Sequence, residues 1–105
     1  MMNSMSISAS ALAAYGVRQQ VSANNVANMN TEGFRASRVS FEDRPESQGV
    51  RVQGVGEDDS SGPLVQSDLQ AGGHEGSNTD LTREMVNQIE NENGYAANAS
   101  AIRTQ

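Results

Sequence analysis

Large apolar side chains are scarce in this sequence, and that scarcity limits what the chain can fold into by itself. Eighteen of the 105 residues are Leu, Ile, Val or Phe, and there is no Trp. A chain with less than about 20% of these residues and an appreciable net charge, here −6, has difficulty forming a stable core alone. We therefore expect much of the stabilising contact to come from other chains.

The chain divides into three segments of different composition. Residues 1–35 are rich in Ala, Ser and Asn, residues 36–76 are acidic and hold both prolines and seven of the ten glycines, and residues 77–105 are again rich in Ala and Asn. This pattern predicts a mainly α fold, in which long N- and C-terminal helices pack as a coiled-coil-like pair. The short middle segment is expected to be partly disordered.

The N-terminal segment predicts one helix over about residues 3–30. Residues on one face follow each other at spacings of three and four, like the a and d positions of a heptad repeat. These residues are Met2, Met5, Ala9, Leu12, Gly16, Gln19, Ala23 and Val26. We call this face the α1 seam; its side chains are mostly small, which favours dense packing among several helices. Gly33 is expected to end the segment in a left-handed conformation, with Phe34 folding back onto the last turn.

The C-terminal segment predicts an amphipathic helix. Ser77 to Asp80 offer capping oxygens at its start. The apolar stripe then consists of Leu81, Met85, Ile89, Ala96, Ala99 and Ile102, with Val86 beside it. Gly94 interrupts the helix at a cost of about 1 kcal/mol relative to Ala, and Tyr95 and Ala96 resume the apolar face.

The middle segment contains two short runs typical of strands. Residues 49–55 alternate apolar and polar side chains, and Leu64 and Val65 could begin a return strand after a turn at residues 57–63. Together they could form a small β-hairpin, which is marginally stable in water when alone.

The sequence offers no convincing catalytic, cofactor or metal site. The acidic run 57–59 lacks the glycine and ligand spacing of a calcium loop. The carboxylate pairs Glu42–Asp43 and Glu90/Glu92 have no apolar pocket to raise an acid pKa. His74 is the single histidine, and there is no Cys. We therefore expect a protein that is not an enzyme and that holds no metal or cofactor.

Charge and hydropathy exclude two further classes of partner. The seven basic residues are all Arg and are scattered along an acidic chain, which argues against nucleic acid. No apolar run approaches the roughly 20 residues that a membrane helix needs. The first residues lack the basic and apolar parts of a secretory signal, so we expect no cleaved signal peptide.

Asparagines cluster at the end of the first predicted helix, where Asn is a mediocre helix former. Asn24 and Asn28 lie on one face, with Asn25 beside it. Two interpretations are open: a polar, fraying helix end, or side-chain amides that bond to neighbouring chains and fix their register.

Residues 21–35 (VSANNVANMNTEGFR), preceded by Ser10 to Ala14, resemble the N-terminal signature of the bacterial flagellar axial proteins, the rod, hook and hook-associated family. Residues 81–90 (LTREMVNQIE) and 94–102 (GYAANASAI) resemble that family's C-terminal signature. The middle, at residues 49–58 and 73–74, is similar to the proximal-rod branch in a shortened form.

This resemblance implies a structural subunit of the flagellar basal-body rod. Such a subunit would polymerise through its terminal helices into the axle that transmits motor torque, with itself and other rod subunits as partners. It would be exported unfolded through the flagellar type III apparatus, without cleavage of a signal, and would act in the part of the rod that spans the periplasm.

The resemblance also implies which residues form the assembly interface. Helix packing would fall to apolar and small residues, and register to asparagines. The expected interface is Leu12, Gly16, Ala23, Asn24, Asn25, Val26, Asn28, Gly33, Phe34, Leu81, Met85, Val86, Ile89, Tyr95, Ala96, Asn98, Ala99 and Ile102.

Two other functions stay open from the sequence. The chain could be a divergent relative that does not polymerise, or a soluble interaction or regulatory module that binds flagellar axial or export proteins. It could also be a small self-associating helical protein unrelated to flagella.

Overall fold

A computed structural model shows an elongated molecule of 60 × 24 × 14 Å. It describes residues 4–45, 49–67 and 70–104. Helix α1 (Ser4–Ala27) is followed by strands β1 (Ser37–Asp43), β2 (Val50–Glu57), β3 (Leu64–Ser67) and β4 (Gln70–Glu75), and helix α2 (Leu81–Arg103) completes the chain. The prediction of a mainly helical fold with long, mutually packed terminal helices is confirmed.

A turn after α1 and a capping residue before α2 mark the ends of the two helices that face the hairpins. α1 stops at Ala27, three residues before the predicted end, and a turn leads to Gly33, which has the predicted left-handed conformation with φ of 70°. α2 starts after Asp80, whose side chain accepts a hydrogen bond from the backbone N–H of Arg83 at 3.2 Å. Asp80 thus satisfies one of the N–H groups left free at a helix start.

The middle segment differs from the predicted single hairpin. The alternating run does form a strand, β2, but its partner is β1 and not the run that begins at Leu64. Leu64 begins β3, which pairs with β4 in a second antiparallel hairpin. The predicted turn at residues 57–63 therefore joins two hairpins. The signal overlooked for β1 is the alternation of Val39 and Phe41, because these apolar side chains two residues apart share one face of a strand. Residues 46–48 and 68–69 lie outside the described ranges.

The first hairpin lies against α1. The Ser10 hydroxyl accepts a hydrogen bond from the Val50 N–H at 3.2 Å and donates to the Ile7 carbonyl at 2.6 Å. Gly49 has φ of 109°, and a Cβ there would lie 2.3 Å from the Ser10 hydroxyl oxygen. Only glycine satisfies both the positive φ and this close approach.

Candidate assembly surface

The interior of the molecule is polar. Among the described residues, the fully buried apolar ones are Ala14 and Ala36, whereas the largest fully buried side chains are Glu84, Asn25 and Ser22. The two alanines contribute little apolar area, so hydrophobic burial within the chain is small. Hydrogen bonds carry the specific contacts between its helices.

Polar side chains connect α1 to α2 along their length. Arg18 donates from Nε to the side-chain oxygen of Asn91 at 2.6 Å and forms an ion pair with Glu90 at 2.8 Å. Asn91 in turn donates to the Gln19 side-chain oxygen at 3.1 Å. Because each bond joins a particular residue of one helix to a particular residue of the other, the set fixes their antiparallel register.

Asn25 holds both helices to the first hairpin. Its side-chain oxygen accepts from the Ser37 N–H, and its amide nitrogen donates to the Ser37 carbonyl, both at 2.9 Å. The same amide nitrogen donates to Glu84 Oε2 at 3.2 Å. Asn25 is 1% exposed, so its hydrogen-bonding groups are used inside the chain.

Glu84 is the largest buried charged side chain in the described ranges. It is 1% exposed, and its Oε1 is the one buried side-chain polar atom of the described residues with no hydrogen-bond partner. A carboxylate in such a place depends on the bond from Asn25, because an uncompensated buried charge is costly.

A second asparagine, Asn78, organises the junction where the chain enters and leaves the hairpins. Its side-chain oxygen accepts from the Ala36 N–H at 2.6 Å, and its amide nitrogen donates to the carbonyls of Asp58 and Ser60 at 2.7 and 2.8 Å. Hydrogen bonds from the Ser60 hydroxyl and N–H, with the nearby Arg38 guanidinium, hold the pKa of Asp58 well below its ordinary value.

Two aromatic rings, those of Tyr15 and Phe41, lie together near the middle of α1. The Tyr15 ring packs edge-on against Phe41, with centroids 5.5 Å apart, and the Arg18 guanidinium lies 5.5 Å from one ring and 5.3 Å from the other. A Cβ at Gly94 would lie 2.4 Å from Tyr15 Cζ. The glycine that weakens α2 is therefore the residue that admits the Tyr15 ring.

The apolar faces of both helices point away from this polar interior. Leu81, Met85, Val86 and Ile89 of α2 are between 44% and 58% exposed, and we call these four residues the α2 stripe. On the α1 seam, Met5, Ala9 and Ala23 are exposed. Apolar residues collected on one exposed face mark a surface that other molecules cover.

Two clefts of different character flank the helix pair. On the side of β1 lies a cleft of about 200 Å³, lined by Arg18, Val21, Ser22, Asn25, Ser37, Arg38, Val39, Arg83, Glu84, Asn87 and Glu90. A wider groove of about 490 Å³ is lined by helical residues alone: Tyr15, Gly16, Gln19, Gln88, Asn91, Glu92, Tyr95 and Ala96. We call these the polar cleft and the helix groove.

Known proteins have sequences similar to most of this chain. The family described as "Flagella basal body rod protein" matches residues 5–35, and the one described as "Flagellar basal body rod FlgEFG protein C-terminal" matches residues 70–105. The flagellar basal body rod protein FlgB of Bacillus subtilis is 28% identical over 96 residues, covering 83% of this chain and 74% of that protein. The flagellar basal-body rod protein FlgC of the same organism is 31% identical over 131 residues, covering 95% of this chain and 87% of that protein.

The chain belongs to the flagellar basal body rod protein family. The similarity to FlgC over nearly the whole chain supports the FlgC-like resemblance read from the sequence. Rod proteins are structural components of the flagellum, so this chain is a structural protein of the motility apparatus and not an enzyme. Within the described residues there is no group of metal-ligating side chains, and neither helix is long and apolar enough to cross a membrane.

The interface residues expected of a rod protein occupy three different places. Leu81, Met85, Val86 and Ile89 are exposed on α2, and Ala23, Asn24 and Gly33 are exposed around α1. Gly16, Tyr95 and Ala96 line the helix groove. Leu12, Val26, Asn28, Phe34, Asn98, Ala99 and Ile102 are half-buried, and Asn25 is buried.

The asparagines of the expected interface also differ in their bonding. Asn28 donates to the Asn24 carbonyl at 2.9 Å, and Asn98 donates to the Gly94 carbonyl at 2.8 Å, so each bond joins residues four apart in the sequence. Asn25 spans α1, β1 and α2, as described above. A role of any of these amides between chains stays a prediction.

The sequence reasoning missed Glu84, Asn91 and Asn78. Glu84 and Asn91 are seven residues apart, and Asn98 follows after another seven. That spacing places polar side chains along one face of α2, and it was the available signal for a polar helix interface. Nothing in the local sequence distinguishes Asn78, because its partners are backbone groups distant along the chain.

Proposed function

We propose that this chain polymerises through its terminal helices into the flagellar rod and so transmits torque along the axle. The observation that carries the proposal is the distribution of burial: the helices meet through polar side chains, while the α2 stripe faces outward. In an isolated protein the apolar side chains of the α2 stripe stay in water and add no stability. Contacts with neighbouring subunits would bury them and gain that free energy.

The limited interior supports assembly as the step that stabilises the fold. In the described part of the chain, two buried alanines and the hydrogen bonds between the helices supply the favourable free energy. This free energy exceeds the entropic cost of ordering the chain by little. Contacts made in the rod would add to the stability of the folded form by mass action. Such a subunit is also easily unfolded, which suits passage through the type III export apparatus.

The partners proposed are further copies of this chain and other rod subunits. Export without a cleaved signal and placement in the part of the rod that spans the periplasm are proposed on the basis of the same family relationship. The register of neighbouring chains would be set by polar groups that remain accessible, and in the asparagine cluster at residues 24–30 these are Asn24 and Asn30.

The decisive experiment is to purify hook–basal bodies from the source organism and to search their digests by mass spectrometry. The tryptic peptide from Val52 to Arg83 identifies this chain, and peptides of other rod subunits provide the internal reference. We expect it at levels comparable to those subunits. Its absence from intact basal bodies, in cells that express it, would contradict the proposal and favour a relative that does not polymerise.

Circular dichroism in the far ultraviolet gives a second test on the purified protein. We expect low helicity in dilute solution that rises with protein concentration, because helix formation is coupled to association. Strong, cooperative helicity at micromolar concentration, independent of dilution, would instead favour an autonomous interaction module.

A further inference from the structure

The helix groove is an apolar depression that the chain itself leaves empty. Tyr15 and Gly16 form its α1 wall, and Tyr95 and Ala96 form part of its α2 wall. A Cβ built at Gly16 meets no atom within 4 Å, so the groove is open at that position. At about 490 Å³ it has room for several aliphatic side chains.

The α2 stripe is a projecting surface of matching size. From Leu81 to Ile89 it extends eight residues along α2, which is about 12 Å at 1.5 Å per residue. The α2 wall of the groove runs from Gln88 to Ala96, again eight residues and about 12 Å. The stripe and the groove thus have the same length and lie one after the other on the same helix.

Their charges are complementary as well. In residues 81–89, all of them described, Arg83 is the one exposed charged side chain, since Glu84 is buried. Among the residues that line the groove, Glu92 is the one charged side chain, because Glu90 lines the polar cleft and pairs with Arg18. A chain that seats its stripe in the groove brings a positive segment to a negative one.

We propose that the α2 stripe of one copy of this chain docks in the helix groove of a second copy. The inference rests on the proposed function, because it names the contact by which copies associate. The stripe and the groove are different surfaces, so each docked copy still offers its own groove to the next. Such a heterologous contact builds an open-ended assembly and not a closed dimer. One contact of this size is weak, and its strength in an assembly comes from the number of copies.

Cysteine cross-linking tests this pairing directly, because the chain contains no Cys. Met85→Cys places a thiol in the stripe, and Ala96→Cys places one in the groove. We expect the two variants, mixed at concentrations where sedimentation shows association, to form a cross-linked pair on mild oxidation. Ala97→Cys is the matched control: it is exposed on the same helix but lines neither surface. Equal cross-linking of Met85→Cys to both partners, no cross-linking to Ala96→Cys, or no association at any concentration would overturn the proposal.

Filling the groove provides a test that does not depend on thiols. Gly16→Leu should leave the fold intact, because its Cβ meets open space and Leu favours a helix over Gly. We expect self-association to weaken at least tenfold by sedimentation, with the helicity of the associated form unchanged, and Ala97→Leu to change neither. Unchanged association of Gly16→Leu would overturn the pairing.

The same variants separate this pairing from the rod function. If Gly16→Leu is found in basal bodies at the level of the unaltered chain, the groove contact is wrong and the rod function stands. If the unaltered chain is missing from basal bodies but the Met85–Ala96 cross-link forms, the contact stands and the rod function is wrong.

Discussion

Helix α2 has two faces of opposite chemistry. The face toward α1 carries Glu84 and Asn91, which are 1% and 2% exposed, and the face away from α1 carries Met85 and Ile89, which are 56% and 58% exposed. A helix of an ordinary monomer has the reverse arrangement, with its apolar side toward its own core. Hydrogen bonds specify partners but add little net stability, whereas apolar area stabilises whatever covers it. The chain thus uses polar contacts to define its own shape and leaves apolar side chains exposed, as the proposed assembly requires.

The largest effect on stability is expected from removing the side-chain amide of Asn25, which belongs to the polar contacts inside the chain. Asn25→Ala removes the hydrogen-bond partner of the buried Glu84 side chain and of both backbone groups of Ser37. We expect the free energy of unfolding to fall by about 2–4 kcal/mol, since a buried carboxylate loses its bond. Urea unfolding followed by circular dichroism measures the loss. Asn24→Ala is the control, because Asn24 is exposed, and it should change stability by less than about 0.5 kcal/mol. Equal effects of the two substitutions would contradict the role of Asn25.

The exposed apolar face of α2 is tested by the substitution Ile89→Lys. The side chain is 58% exposed, so the isolated fold should tolerate the charge. Association should weaken by about 10- to 100-fold, corresponding to about 1.5–3 kcal/mol for an aliphatic side chain buried in a contact. Sedimentation measures association, and Ala97→Lys controls for the added charge. A loss of helicity in Ile89→Lys without loss of association would reverse the assignment of the two faces.

Two helical glycines, Gly16 of α1 and Gly94 of α2, provide a smaller test of how the two helices pack. Gly94→Ala places a Cβ against the Tyr15 ring, and overpacking should outweigh the gain in helix propensity, for a net loss of about 1 kcal/mol. Gly16→Ala meets open space and should gain up to about 1 kcal/mol. Thermal unfolding distinguishes them by the sign of the shift. Stabilisation by both substitutions would show that Tyr15 does not require the glycine.

The smallest effect concerns Asp58 at the junction of the hairpins. Its pKa is lower in the folded chain than the ordinary value of about 3.9. The contribution to stability is therefore present above about pH 4 and is lost as the pH falls toward the lower folded pKa. We expect Asp58→Asn to lower the melting temperature at neutral pH, and the difference from the unaltered chain to shrink below about pH 4. The exposed neighbour Asp59→Asn serves as control. A difference that stays constant across this range would argue against an ionised Asp58 as the stabilising group.

Regular features of the fold could be read from the sequence, and features that depend on distant partners could not. The helices, the Asp80 cap and the left-handed Gly33 follow from local spacing and residue type. The pairing of β2 could not be assigned, because β1 was not recognised and Leu64 offered a second strand after a turn. The burial of Asn25 and Glu84 was missed for a different reason. Sequence reasoning places apolar residues inside, and this chain is an exception to that rule.

The expected interface shows the same division. Leu81, Met85, Val86 and Ile89 share one face of α2, as the amphipathic pattern predicted, and the structure shows that this face is exposed. No local sequence feature distinguished Asn25 from Asn28. Asn25 bonds across three elements, whereas Asn28 bonds to a residue four positions away. Only the three-dimensional arrangement distinguishes an amide that holds the subunit together from one that stays accessible.

The smallest dimension of the molecule, 14 Å, has a consequence for how the chain tolerates variation. It is scarcely more than the diameter of one helix with its side chains. Few of the described residues are then buried within the chain itself, and in the proposed assembly the accessible ones would be covered by neighbouring subunits. In a saturation scan for swimming, intolerant positions should therefore concentrate on the exposed faces of the helices, where an ordinary monomer accepts most changes.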